Sequence, residues 1–282
     1  MGERRNLRRD FFASTDDIPV LLPPPGSPYK RGPPSLIDMG KDDPDTIQYF
    51  NIRTNNIPAG HEDRIKKLEE MLDLTHQWLD IHAGKHTGEQ KDKGTLPSDD
   101  SEDSQLKRSN YRIKVLDTIM DGNCPWIMTA RDESIHNQIR VKKAEFHATL
   151  IKDIMAGITT VKRISTAIEQ AFQSLSNIIV KTQHAREGRL SWSFFNVFTW
   201  DDVTQDVKGS IRIVLYKISG EMAEYVINKL EIQEVRLGFD FHQAEYLFSD
   251  YSWGRYQTDV EDFLEENGRK KIREPVPGSI DP

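Results

Sequence analysis

The stretch GRLSWSFFNVFTWDDVTQDVKGSIRIVLYKI, Gly188–Ile218, holds two of the chain's five tryptophans and its densest run of aromatic and β-branched residues. Leu190, Trp192 and Phe194 recur at every second position, with Phe195, Val197 and Phe198 crowding in. Such residues fit a pleated, half-buried surface, so a strand is predicted up to Trp200. Asp201-Asp202 breaks it. After Lys208-Gly209-Ser210, a second run from Ile211 to Ile218 alternates Ile211, Ile213 and Leu215 with Arg212, Val214 and Tyr216. Two strands joined by a loop of roughly eight residues make a hairpin. Each buried Trp or Phe contributes on the order of 2–3 kcal/mol, so the hairpin is read as the core of a globular domain before any binding role is assigned to its aromatics.

Outward from the hairpin the chain keeps a mixed character. A helical stripe precedes it from about Ser134 to Arg186, through Ile135, Ile139, Phe146, Leu150, Ile154 and Ile158 to Ile179, divided near Gly157. Before that, Ile113, Val115 and Leu116 suggest a short strand from Tyr111, ending at Asp121-Gly122-Asn123. After the hairpin, Glu221 to Leu230 reads as helix and Val235 to Phe241 as strand, with a bulge at Gly238. Glu245 to Tyr256 has no clear period, and Thr258-Asp259-Val260-Glu261 is a capping box for a short helix closed by Gly268. Residues 111–268 are therefore expected to form an α+β domain, with long amphipathic helices on a small, mostly antiparallel sheet.

The flanks differ. Residues 1–60, with Pro23-Pro24-Pro25, Pro28 and Pro33-Pro34, are predicted disordered. Proline pre-sets a PPII conformation there, so Pro23, Pro24, Pro25, Pro28 and Tyr29 form a candidate ligand for a WW or SH3 domain. From 61 to 84 an amphipathic helix carries Ile65, Leu68, Leu72 and Leu79 at heptad spacing, a candidate self-association seam, and Gly84 is placed to end it. Residues 85–110 are polar and acidic and read as a linker in which Ser98, Ser101 and Ser104 are candidate phosphorylation sites. Two small basic clusters, Arg4, Arg5, Arg8, Arg9 and Arg269, Lys270, Lys271, Arg273, mark the N-terminal region and the 269–282 tail as candidate contacts for anionic lipid, RNA or an import receptor.

Composition limits the function. The chain of 282 residues is 37% hydrophobic and 29% charged, which points to a packed core over part of its length. A net charge of −7 argues against nucleic-acid binding through the whole surface. With one cysteine, Cys124, neither an intrachain disulfide nor a cysteine zinc site can form. There is no apolar run long enough to span a bilayer and no apolar signal core, so the chain is expected to be neither secreted nor transmembrane. Nucleophile elbow, P-loop, dinucleotide fingerprint and HExxH are missing, and Gly84 between His82 and His86 argues against a two-histidine metal face. A non-enzymatic role without cofactor, metal or small-molecule substrate is expected.

Two segments carry a resemblance. Leu21-Leu22-Pro23-Pro24-Pro25 resembles the proline-rich budding segment of rhabdovirus matrix proteins, although Gly26 and Ser27 replace the usual continuation and displace Tyr29. Phe198 to Ile218 is similar to a strand–turn–strand segment of lyssavirus-type members, and the length fits the plant-infecting type better. The resemblance implies a viral structural protein that self-associates and bridges nucleocapsid and membrane. It also implies residence in the virion and at the host cytoplasm or inner membrane face, with host nucleus as a further site. The layout also resembles the phosphoprotein of the same viruses, a polymerase cofactor. A host scaffold with a Pro-rich ligand segment is the third reading.

Overall fold

A computed structural model describes residues 47–53, 57–141, 190–217 and 235–273. The chain order is β1 (Ile47–Arg53), α1 (Glu62–Asp92), α2 (Glu102–Met120), β2 (Ile127–Val141), β3 (Leu190–Asp201), β4 (Asp206–Lys217), β5 (Val235–Phe248) and α3 (Asp250–Arg273). The strands form one five-stranded sheet in the order β1-β3-β4-β5-β2. β1 is parallel to β3, whereas the β3–β4, β4–β5 and β5–β2 pairs are antiparallel. The fold is α+β, with the mostly antiparallel sheet expected from the sequence.

The hairpin is β3–β4, tighter than predicted. Pairing continues to Asp201↔Asp206, so only Asp202 to Gln205 make the turn. Side-chain polarity does not stop backbone pairing, and Trp200↔Val207 still closes the buried side of the ladder. The Asp201 carboxylate accepts the Val203 N–H at 2.9 Å and the Thr204 hydroxyl at 2.8 Å. Gln205 takes a positive φ of 50°.

Strand alternation sorts the sheet's two faces. Phe194, Asn196 and Phe198 share a face with Val207, Ile211 and Ile213 of β4 and with Ala244, Tyr246 and Phe248 of β5. On that face α1 packs against β3 and β4, with α2 and α3 beside it. Ile65, Leu68, Leu72 and Leu79 join Phe194, Ile211 and Trp253 in one apolar core. Phe195, Val197 and Arg212 on the opposite face are also buried.

Several expectations are corrected. Within 1–60, Ile47–Arg53 is a strand, paired from Ile47↔Trp192 to Arg53↔Phe198; its short β-forming run IQYFNIR follows the Pro-rich region. Gly84 does not end α1, which runs on to Asp92 with Ala83, Gly84, His86 and Gly88 buried. A helix-interior glycine costs about 1 kcal/mol, and tertiary burial outweighs it here. The polar 85–110 segment is no simple linker: it holds the end of α1 and the start of α2. Ser101 is the N-cap of α2, its Oγ accepting the Ser104 N–H, and the Asp99 carboxylate supports that turn by accepting the Ser101 N–H at 3.0 Å and the Ser104 hydroxyl at 2.7 Å. Buried Arg108 donates to the carbonyls of Pro97 and Asp99 at 3.0 and 2.8 Å.

Tyr111 to Leu116 is helix rather than strand. α2 is buried on several sides, so alternate residues such as Tyr111, Ile113 and Val115 are buried as well and imitate a strand period. Ser134–Val141 is the second half of β2, not the start of a helix; Ile135 and Ile139 satisfy both periods, and pairing with β5 decides. The rest of that stripe and the Glu221–Leu230 helix lie outside the described residues. β5 extends beyond Phe241 to Phe248, and α3 begins at Asp250 rather than at the Thr258 box. Ser249 Oγ accepts the Ser252 N–H at 3.3 Å, and buried Trp253 anchors the turns before the predicted start; at the other end the helix runs past Gly268 to Arg273.

Candidate functional site

The inner face of α1 changes character midway. Up to Leu72 it is aliphatic; from Thr75 buried polar residues are interleaved with it, Leu79 and Ala83 alone continuing the buried apolar stripe. His76 Nε2 lies 2.8 Å from Asn196 Oδ1, and Asn196 Nδ2 donates to Asn51 Oδ1 at 2.8 Å. Because the Asn196 oxygen accepts, the neutral His76 ring carries its hydrogen on Nε2. Tyr49 lies against that ring with centroids 4.2 Å apart, and Phe194 meets it edge-on at 5.1 Å. The Tyr49 hydroxyl donates to Asp80 Oδ1 at 2.9 Å, and Arg112 Nη2 sits 3.9 Å from the same oxygen. Trp126 Nε1 donates to Thr75 Oγ1 at 3.1 Å. Four elements, β1, α1, α2 and β3, thus meet in one polar cluster.

Burial dominates its electrostatics. It pulls His76 down to about 4 against the opposing Asn196 hydrogen bond, and His82 down to about 3 with help from Lys85 and His86. It raises the Asp80 carboxyl, although Arg112 and the Tyr49 hydrogen bond oppose it. Burial, reinforced by Asp80, lifts the Tyr49 phenol well above its ordinary value. Burial also pushes up the Cys124 thiol, so that cysteine is a packing residue rather than a nucleophile. Aromatic rings close over His76, and the cluster's evident work is to join helices to sheet. Polar residues at stripe positions of α1, His76 and His82 above all, were the sequence signal for it.

A second feature lies at the turn end of the sheet. The five large apolar side chains exposed among the described residues are Met128, Val203, Leu247, Tyr251 and Tyr256. Met128 and Leu247 are direct cross-strand partners, 53% and 45% exposed. Val203, 92% exposed, crowns the β3–β4 turn. Ile127↔Phe248 pairing, with Phe248 beside Gly209, brings the start of β2 and the end of β5 to this same end. Tyr251 follows in the first turn of α3, 72% exposed, with the Arg255 guanidinium 4.4 Å from its ring centre. Arg64 ties the end together by pairing with Asp206 at 3.1 Å and with Asp250.

The sequence-predicted sites are placed as follows. Ile65, Leu68, Leu72 and Leu79 do not line an outer seam; all four are buried against the chain's own sheet and helices. Of the tail cluster, Arg269 pairs with Glu265 and Lys270 with Glu266, so their charge is partly neutralised within α3. Lys271 and Arg273 fall in the last turn of that helix. Arg4, Arg5, Arg8 and Arg9, and Pro23, Pro24, Pro25, Pro28 and Tyr29, lie outside the described residues. His82 and His86 do sit one turn apart on a continuous helix, yet the described residues contain no group of three or more His, Cys, Asp or Glu able to hold a metal.

No protein-family model matches the chain. No curated protein matches it either. Among solved structures it is similar to the Evf virulence factor, at 15% identity over 78% of each chain with a TM-score of 0.52. A delta-endotoxin shares 10% identity over 82% of this chain and 89% of its own, with a TM-score of 0.34. Neither is a matrix protein. At this identity the Evf likeness is one of fold, and it is the fold that the chain shares.

Proposed function

We propose that this is a non-enzymatic surface-binding protein of the matrix-like, assembly class, which bridges a membrane and a nucleocapsid and self-associates there. The observation that supports it is the exposure of four large apolar side chains toward the turn end of the sheet, Val203 at the turn, Met128 and Leu247 on the face away from the helices, and Tyr251 at the start of α3. Exposed apolar side chains gathered at one end mark contact surfaces, and tyrosine suits a membrane–water boundary. Each such side chain contributes about 1–2 kcal/mol when partly buried in an interface. A basic residue near an anionic surface contributes about 1 kcal/mol, but Arg269 and Lys270 already have acidic partners. Apolar contact therefore outweighs charge, and binding is predicted to tolerate salt.

Co-flotation of the purified chain with phosphatidylcholine and phosphatidylserine vesicles, at low and high salt, tests this. Flotation on both, reduced about tenfold or more by Val203→Asp with Tyr251→Asp, is expected. Absence of flotation on either would overturn it. In that event, tight binding to a nucleocapsid or polymerase indicates the phosphoprotein-type adaptor, and capture of a WW or SH3 domain through Pro23–Pro34 indicates the host scaffold. The fold likeness to a protein described as a virulence factor supports a second reading, an effector acting against a host. Binding to host cells without any nucleocapsid binding would favour it.

A further inference from the structure

We propose that the C-terminal half of α1 is an acid-sensitive latch, in which protonating His76 and His82 releases that half of the helix from the sheet and from α3 while the aliphatic half stays packed. The proposal stands apart from the surface-binding reading, since it concerns the interior of the fold. His76 bridges α1 to β3 through Asn196 with its Nε2 hydrogen already committed. Its Nδ1 is buried and has no hydrogen-bond partner, so a second proton would face the rings of Tyr49 and Phe194. The nearby carboxylate, Asp80 of α1, is engaged by the Tyr49 hydroxyl of β1 and by Arg112 of α2. A cation on His76 is therefore both desolvated and unaccepted.

His82 joins α1 to α3, stacked on Phe263 at 4.7 Å and within 4.4 Å of Trp78. The titratable groups there come from three elements. Lys85 and His86 of α1 act on His82 itself; behind them Glu89 of α1, with Lys270 and Glu266 of α3, act on Lys85, and Glu89 with Lys93 acts on His86, while Tyr111 of α2 is a neutral phenol that burial pushes up to about 12. Lys85 already lies 4.3 Å from the Phe263 ring centre. A proton on His82 adds charge beside Lys85, and the aromatic faces replace only part of its lost hydration. The same half holds Gly84 and Gly88, so its helix is intrinsically weaker than the aliphatic half.

The direction follows from linkage. Released histidines bind a proton near 6.5, whereas packed His76 does so at about 4 and packed His82 at about 3. The released form thus takes up more protons between those values, so the two histidines cost the latch stability as pH falls below about 6.5, whereas Asp80, whose carboxyl burial raises, works in the opposite sense as it takes up its proton; above about 6.5 the histidines contribute no pH dependence. Between its packed and released values each histidine shifts the opening equilibrium about tenfold per pH unit, reaching about 150-fold for His76 at pH 4.

Hydrogen exchange of the full chain by mass spectrometry between pH 7.5 and 4.5, corrected for intrinsic rates, tests the latch. Expected is a loss of protection over 75–90 of tenfold or more per pH unit below about 6.5, while 62–74 and 194–213 stay protected. The double substitution His76→Gln with His82→Phe keeps a donor for Asn196 and an aromatic for the stack, and should flatten that slope. Retained protection over 75–90 to pH 4.5, loss in step with the hairpin, or an unchanged slope in the double variant would overturn the proposal. Should the double variant not fold, the contrast between segments in the native sequence decides alone.

Discussion

The two halves of α1 are one helix with two kinds of interior. Ile65, Leu68 and Leu72 meet the sheet as aliphatic side chains with no directional demand. From the next turn onward Thr75, His76, Asp80 and His82 meet the same layers through hydrogen bonds, rings and charge. The first kind contributes about 1.5–3 kcal/mol per side chain and tolerates small displacements. The second yields only about 0.5–1.5 kcal/mol net per hydrogen bond, yet leaving one partner alone costs about 1–3 kcal/mol. The aliphatic half supplies most of the adhesion. The polar half selects one register, because only one placement aligns His76 with Asn196 and Asp80 with Tyr49.

The contrast breaks most visibly at Leu72. Fully buried beneath the sheet, it leaves a cavity when cut back, so Leu72→Ala should lower stability by about 2–5 kcal/mol in urea unfolding with little change in slope. A loss under about 1 kcal/mol would mean that the aliphatic half is loosely packed. Asn196→Ala probes the other half. It strands the buried His76 Nε2, while exposed Asn51 can turn its amide to water, and a loss of about 1–3 kcal/mol is expected from the same measurement. An effect as large as that of Leu72→Ala would erase the proposed division of labour between the halves.

The sequence made some of this legible. The hairpin could be read because Phe194, Phe198, Ile211 and Ile213 satisfy strand alternation and burial together. The onset of α1 was equally plain from its aliphatic stripe. Its end was not, since Gly84 and the polar residues after it carry every local sign of a stop and are held by tertiary contacts that no local pattern encodes. The stripe also suggested a partner helix, whereas the partner is the chain's own sheet; heptad spacing reports that a face is buried without saying by what. β1 was hidden by its neighbourhood, because a parallel edge strand is specified by a partner more than a hundred residues on. The polar cluster was invisible as a unit for the same reason, with Tyr49, His76, Arg112 and Asn196 brought together by topology alone.

The smallest expected effect offers the finest test of the aliphatic half. Gly209 in β4 lies buried beneath α1, where an added Cβ would stand 3.6 Å from Leu68 Cδ2, 3.8 Å from Leu72 Cδ1 and 3.9 Å from Phe248 Cβ. Those are ordinary van der Waals distances, so the methyl group fits without moving its neighbours. Glycine inside a strand also gives the unfolded chain more freedom than alanine does, and removing that freedom stabilises by about 0.4–1 kcal/mol. Gly209→Ala should therefore leave stability unchanged or raise it by up to about 1 kcal/mol. The gain arises because the aliphatic half makes no directional demand: Leu68 and Leu72 can accept the methyl group from any angle. A loss beyond about 1 kcal/mol in the urea midpoint would show that these two leucines sit closer to the sheet than van der Waals contact allows, and that the dry half is as exacting as the polar one.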